Sequence, residues 1–472
     1  MLLNQRPFLR QTARLACVLL FPLAGACGGH AFVSVEQDNP PLVFHGVKVF
    51  DAATGKLLDG VRDVVVKDGR ITAVETEPQT VAGAREVTGG VLLPGLIDLH
   101  VHLGGGSEPP WKTPFPKETE VLTAFLYAGV TTVLDVGNVA PDVFELRDSV
   151  AQGKTLGPRI FAAGPMFTTV GGHPAAAMRL IAPWLIGDFI VSKTVREIAN
   201  PAQAAVDVDA LAVFKPDFIK LAVDRIPLDA PRMDTSLTTA ITAAARKHNL
   251  RTVAHVGRSQ DVIDAVAGGV SAMVHGVYLE TISDEAIQAL ARGGVPVVPT
   301  HSVFDVQERL LPDTRWEFSR LEQEMAHPDI MDAIRHVPAG LDKSPLYPWA
   351  LAVGAGRQLR LGNIARMRAG GVTVLVGTDS PNLGHFPGAG MHVELARLVE
   401  GGMTPGEVLR AATYENARFL AGDAVDFGQV KPGMRADLLL LAADPTQDIA
   451  AAQQIQHVVV GGKLLKRTPR PR

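Results

Sequence analysis

Residues 91–106 read VLLPGLIDLHVHLGGG, an apolar run with two histidines two positions apart near its end. In a strand, side chains at i and i+2 share a face, so His100 and His102 point the same way while Val101 points oppositely. Two neutral imidazoles on one strand end can converge on a metal ion, and the three glycines that follow let backbone and ligand approach closely. Buried imidazoles need partners, so further donors are expected at comparable places. Lys220 in DFIKLAV, His255 in TVAHV, His275 in AMVHG and Asp379 in VTVLVGTDS each lie toward the end of a strand-like run. Singly, each is commonplace: a lone histidine at a strand end hydrogen-bonds into a core, and an aspartate followed by serine caps a helix. Lys220 is the most informative, because an amine flanked by Ile219 and Leu221 in a buried strand must lose its proton or find strong anions. A salt bridge across the site would satisfy it. A neutral amine can instead take up carbon dioxide, giving an anionic carbamate whose two oxygens can bridge two cations.

These residues must be positioned by a common scaffold. Strand-type runs at 96–103, 131–137, 159–164, 218–223, 252–256, 272–276, 297–300 and 372–379 alternate with helical patterns such as 235–248, 259–267 and 283–292. Eight strand and helix units imply an α/β fold, a (β/α)8 TIM barrel over residues 91–424. That fold builds its site at the carboxyl ends of the strands, and the six candidates fall there. Short strand runs with turns at 40–90, including a hairpin signal at Asp68 and Gly69, are echoed at 425–468. The two ends are expected to pair into a small β-sandwich domain. Residues 302–347, rich in charge, aromatics and proline, are long for a connection and are expected to form a lid or substrate loop with some helix of its own.

A net charge of -4 gives no electrostatic case for nucleic acid. Arg6, Arg10 and Arg14 precede an apolar segment ending in Ala24, Gly25 and Ala26, the pattern of a secretory signal peptide over residues 1–26. The segment is short for a membrane span and Pro22 interrupts it. The expectation is an exported protein, either cleaved and released into the periplasm or lipid-anchored to a bacterial membrane through Cys27 as first mature residue. Only Cys27 would survive maturation, since Cys17 lies inside the leader, so no intrachain disulfide is expected.

With PGLIDLHVHL, the strand-four lysine, single histidines on strands five and six, VGTDS, and the later GGMTPGEVLRAATYENARFLAG and GQVKPGMRADLLLL, the chain resembles the amidohydrolase superfamily, in its binuclear metal-dependent branch. The resemblance extends to the imidazolonepropionase-like and prolidase-like group and covers nearly all of the mature chain. It implies that His100, His102 and Asp379 bind the more buried ion, that His255 and His275 bind the outer one, and that carboxylated Lys220 bridges both. Two divalent ions, zinc being the expected choice for nitrogen and oxygen ligands, and carbon dioxide for Lys220 are the implied cofactors.

The implied chemistry is attack on a substrate carbonyl by a metal-bridging hydroxide, with Asp379 moving the proton to the leaving nitrogen, so that a small molecule loses a C–N bond of an amide or cyclic amide. His173 in PRIFAAGPMFTTVGGHP and His385 after strand eight are candidates for contact with the substrate, or loop-packing residues; His301 and His392 are expected to be structural. Dipeptidase relatives carry a Gly-rich continuation after this lysine, whereas here Asp224 and Arg225 follow; Arg225 is a candidate for recognising a substrate carboxylate, with pairing to Asp224 the favoured expectation. The alternatives are a prolidase-like dipeptidase, a phosphotriester or lactone hydrolase on the same centre, a mononuclear deaminase, and a binding protein on a retired barrel, which would be expected to have lost one of the six.

Overall fold

The computed structural model describes residues 29–36, 40–109, 111–112, 117–182, 186–309 and 317–471. The expected leader, with Cys17 and Cys27, lies outside the described residues. Among them no helix is long and apolar enough to cross a membrane.

The strands of the barrel are β1 (Leu96–Val101), β2 (Val130–Asp135), β3 (Arg159–Ala162), β4 (Phe218–Ala222), β5 (Arg251–His255), β6 (Ala272–Val274) and β7 (Val297–Val298). β1, β2 and β3 run parallel, and β4 to β7 run parallel in chain order. The two arcs join where Asp217 N donates to Ala162 O at 2.8 Å. The eighth run, expected as a strand over 372–379, makes only isolated bridges, Val374 to Val297 and Ser380 to Val101. It nevertheless closes the circle, through Leu375 N to Val297 O and Leu99 N to Val376 O. A left-handed backbone at Asp379 (φ 63°) ends any regular ladder there. Two parallel strands that the sequence did not announce, Met166–Thr169 and Val195–Ile198, extend the β4 side, with Phe167 opposite Leu221.

Helices cover the outside, and their starts are chemically marked. Asp234 and Ser283 accept from Leu237 N and Ala286 N, and Gly294 ends the second of these helices in the left-handed region. The expected helices appear as Thr235–Lys247, Ser259–Ala267 and Asp284–Gly293. Past β7 the chain is helical over His301–Arg309, Arg320–Met325, Pro328–Arg335 and Tyr347–Gly354.

Both chain ends enter one ten-stranded sheet. Val91–Pro94 pairs antiparallel with Leu438–Leu441 and parallel with Leu42–Asp51. The LLLL strand is apolar on both faces because it separates two cores. Leu438 and Leu440 pack with Phe44, Val64 and Leu92, while Leu439 and Leu441 pack into the barrel's own shell with Leu93 and Leu126. The sheet is thereby fixed to the barrel next to the entry of β1, two residues from the strand that carries the paired histidines.

Candidate metal centre

β1 delivers His100 and His102 to one mouth, and a buried carboxylate sets their frame. Asp98, on the same face and fully buried, accepts from His100 N, Thr378 N and Thr378 Oγ1. That clip fastens the eighth run against β1, and Asp379 N donates to His100 O at 2.7 Å. Burial raises the Asp98 carboxyl to about 7. Asp379 Oδ1 then stands 3.4 Å from His100 Nε2 and 3.1 Å from His102 Nε2.

The imidazoles are turned so that a ring nitrogen remains for a ligand. His102 Nδ1 donates to Gly137 O at 3.1 Å, which leaves Nε2 with its lone pair. Asp135 holds that turn by accepting from Leu103 N, Gly137 N and Asn138 Nδ2. Gly137 is required, since a Cβ there would stand 2.8 Å from His102 Cε1. His275 Nδ1 shares a 2.6 Å hydrogen bond with Thr300 Oγ1. With Nδ1–H donating, the Nε2 of His275 is likewise free to bind. The backbone is left-handed at His275 (φ 72°), Thr300 (φ 50°) and Asp379 (φ 63°). Such positions cost about 1–3 kcal/mol each and gather at functional sites.

Burial disfavours charge on most of these rings. His100 and His275 titrate well below the usual histidine range, chiefly through desolvation, and His173 and His255 are lowered to about 3 for the same reason. His102 is the exception. Burial opposes its proton, but the Asp379 carboxylate 3.1 Å from Nε2 raises it. Lys220, 1% exposed, is lowered to about 7 by burial, against the pull of Asp379 and Asp224. All six expected residues are therefore in one place, and Lys220 is poised to be a neutral amine near neutral pH.

The donor set fits divalent cations. Among the described residues, His100 Nδ1 and Nε2, His255 Nε2 and Asp379 Oδ1 are buried without hydrogen-bond partners, a costly state unless something else engages them. Ligand atoms about 2.0–2.2 Å from one zinc ion lie roughly 3 to 3.5 Å apart, and the contacts of Asp379 with His100 and His102 are in that range. His100, His275 and Asp379 form one donor group within 4.8 Å, and His173, Asp224 and His255 form another. His275 stands between them, its ring centroid 4.6 Å from His100 and 4.0 Å from His255.

Two expectations change here. Asp224 does not pair with Arg225. Arg225 is exposed, while Asp224 is 3% exposed, 2.9 Å from His255 Nε2, and accepts from Tyr278 Oη at 2.7 Å. Strand alternation explains it, because Lys220, Ala222 and Asp224 share a face and Arg225 takes the other. His173, expected as a substrate contact or a packing residue, reaches the centre, with its ring 4.6 Å from that of His255. His385 lies outside both donor groups. Its ring packs where a Cβ on Gly390 would be, and its backbone pairs with Asn382, whose Nδ2 is 3.5 Å from Asp379 Oδ2. His392 donates to Ala128 O, a contact within the scaffold, and His301 is buried at the start of its helix.

The model of the amidohydrolase family matches residues 91–465. The chain belongs to the amidohydrolase family. Ochratoxinase of Aspergillus niger is 24% identical over 408 residues, covering 80% of this chain and 76% of that one. Among solved structures, a Xaa-Pro dipeptidase with methionine in its active site matches with a TM-score of 0.72 at 22% identity, over 90% of this chain and 99% of that one. Molinate hydrolase matches with a TM-score of 0.69 at 21% identity, over 90% and 94%. These structural likenesses establish the fold.

Proposed function

We propose that this amidohydrolase-family hydrolase is a binuclear metal enzyme that cleaves the C–N bond of an amide or cyclic amide other than a peptide. One observation carries the proposal: buried donors at the ends of five barrel runs face one another, and several have no hydrogen-bond partner among the described residues. His100, His102 and Asp379 would hold the deeper ion, His255 and His275 the outer one, and Lys220 both, as its carbamate. The ions supply an activated water and polarise the scissile carbonyl.

The chain's own groups do the rest. Lys220, neutral above about pH 7, attacks carbon dioxide through its amine nitrogen, forming an N–C bond and releasing one proton. Asp379 takes the proton from the attacking water and delivers it to the leaving nitrogen, so that no free amide anion has to depart. Gly137 O and Thr300 Oγ1 keep the rings of His102 and His275 oriented. The buried carboxylate at Asp224, in place of a Gly-rich continuation after the lysine, speaks against a dipeptidase.

A panel of N-acyl amino acids, cyclic amides, dipeptides and lactones, assayed with zinc-loaded protein, tests this. Turnover of an N-acyl or cyclic amide is expected. Turnover confined to lactones, or to dipeptides, would overturn the assignment.

A further inference from the structure

The six residues of the centre do not include its most unusual carboxylate. Asp224 is 3% exposed and its Oδ1 has no hydrogen-bond partner among the described residues. Its Oδ2 lies 2.9 Å from His255 Nε2, yet the contact lacks the alignment of a hydrogen bond and His255 Nε2 also has no partner. Two polar atoms this close without sharing a proton are arranged as ligands of a common third atom are. The spacing is near that of Asp379 with His100 and His102, and near the roughly 3 to 3.5 Å between ligands of one zinc ion. His173 completes the group. Its donor atom lies within 4.8 Å of those of Asp224 and His255, and its Nδ1 is buried without a partner.

The surroundings hold the carboxylate in that attitude. Tyr278, 1% exposed, donates to Oδ2, and Trp349 Nε1 lies 3.4 Å from the Tyr278 hydroxyl. A ligating carboxylate is commonly fixed by such a donor. Gly257 leaves room for the arrangement, because a Cβ there would stand 3.1 Å from the Tyr278 ring and 3.2 Å from Asp224 Oδ2. The loop carrying His173 is also braced, by Gly171 N and Arg179 on Glu197.

We propose that Asp224 is a metal ligand, and that the outer divalent cation is held by His255 with Asp224 and His173. The inference rests on the binuclear proposal above and adds a carboxylate and an imidazole to its outer site. The cation would be a first-row divalent ion that accepts mixed nitrogen and oxygen donors, such as zinc or cobalt.

The test uses the full chain loaded with zinc. Asp224→Asn keeps the shape and an acceptor for Tyr278 but removes the charge, and the zinc content measured by mass spectrometry is expected to fall from two ions per chain to one. Retention of two ions would overturn the inference. A second measurement avoids the variant: anomalous diffraction at the zinc edge from crystals of the wild-type protein. Two peaks, one within coordination distance of Asp224, support both proposals. Two peaks with neither at Asp224 overturn this inference and leave the binuclear centre standing. A single peak, at His100, His102 and Asp379, overturns both.

Discussion

Replacing Thr300 by valine removes one oxygen from behind the metal centre and nearly nothing else. Thr300 is fully buried, and its Oγ1 makes the 2.6 Å hydrogen bond to Nδ1 of His275, itself 4% exposed. Valine is close in shape and β-branched like threonine, so the left-handed backbone at this position is strained to a similar degree in both proteins. The variant leaves the His275 Nδ1–H without an acceptor and the ring without its orienting contact. Outer-shell partners of ligating histidines are worth about 10–100-fold in metal affinity, or about 1.4–2.7 kcal/mol, in line with the roughly 1–3 kcal/mol cost of a buried unsatisfied donor. Zinc titration of the apoprotein against a competing chelator reads the effect. Thr300→Val is expected to raise the weaker Kd by about 10–100-fold, and Thr300→Ser to restore it. A Kd unchanged within about twofold would refute the claim that His275 binds metal with its ring set by Thr300.

Three further outcomes are expected. Asp379→Asn should lower kcat by at least about 100-fold while metal analysis still finds bound ion, because an amide oxygen can occupy the position but cannot carry the proton; unchanged turnover would remove Asp379 from proton transfer. Gly137→Ala places a Cβ 2.8 Å from His102 Cε1 and 3.0 Å from its Nδ1, so zinc affinity should fall in the same titration; an unchanged Kd would show that His102 is not held by this turn. His392, buried and donating to Ala128 O, is lowered by that burial from 6.5 to about 4. A depressed histidine stabilises above its unfolded pKa and loses that contribution as pH falls from about 6.5 toward 4, here on the order of 3 kcal/mol. The melting-temperature deficit of His392→Asn should therefore be largest at pH 7.5 and shrink by pH 4.5; a constant deficit would show that this ring does not titrate on unfolding.

The order of strands and the six ligand-type residues were legible because apolar runs mark the strands and ligand-type side chains stand out at their ends. Period-two alternation puts the paired histidines on one face, and burial singles out Lys220. Extended two residues past the end of β4, the same alternation turns Asp224 inward with Lys220. Charge adjacency suggested an Asp224–Arg225 pair instead, although neighbours in an extended chain face opposite ways. Thr300 and Tyr278 were not legible, because their partners lie on other strands and no local pattern announces a contact 25 or 54 residues away in sequence. The pairing of the two chain ends was suggested by matching strand signatures. Its register, Leu438 opposite Pro94, depends on which face of the LLLL strand meets which core, and four identical residues carry no such information. The parallel strands at Met166–Thr169 and Val195–Ile198 are short and interrupted by helices, too brief for alternation to show.

The claim on which the chemistry rests is that Lys220 and its neighbours together hold two cations. Zinc content, measured on full-length protein stripped of metal, reconstituted with zinc and bicarbonate at pH 8 and freed of excess ion, tests it most directly. Two equivalents per chain are expected, falling below two in Lys220→Ala. One equivalent or none in the wild-type protein, or two equivalents retained without the lysine, would contradict it.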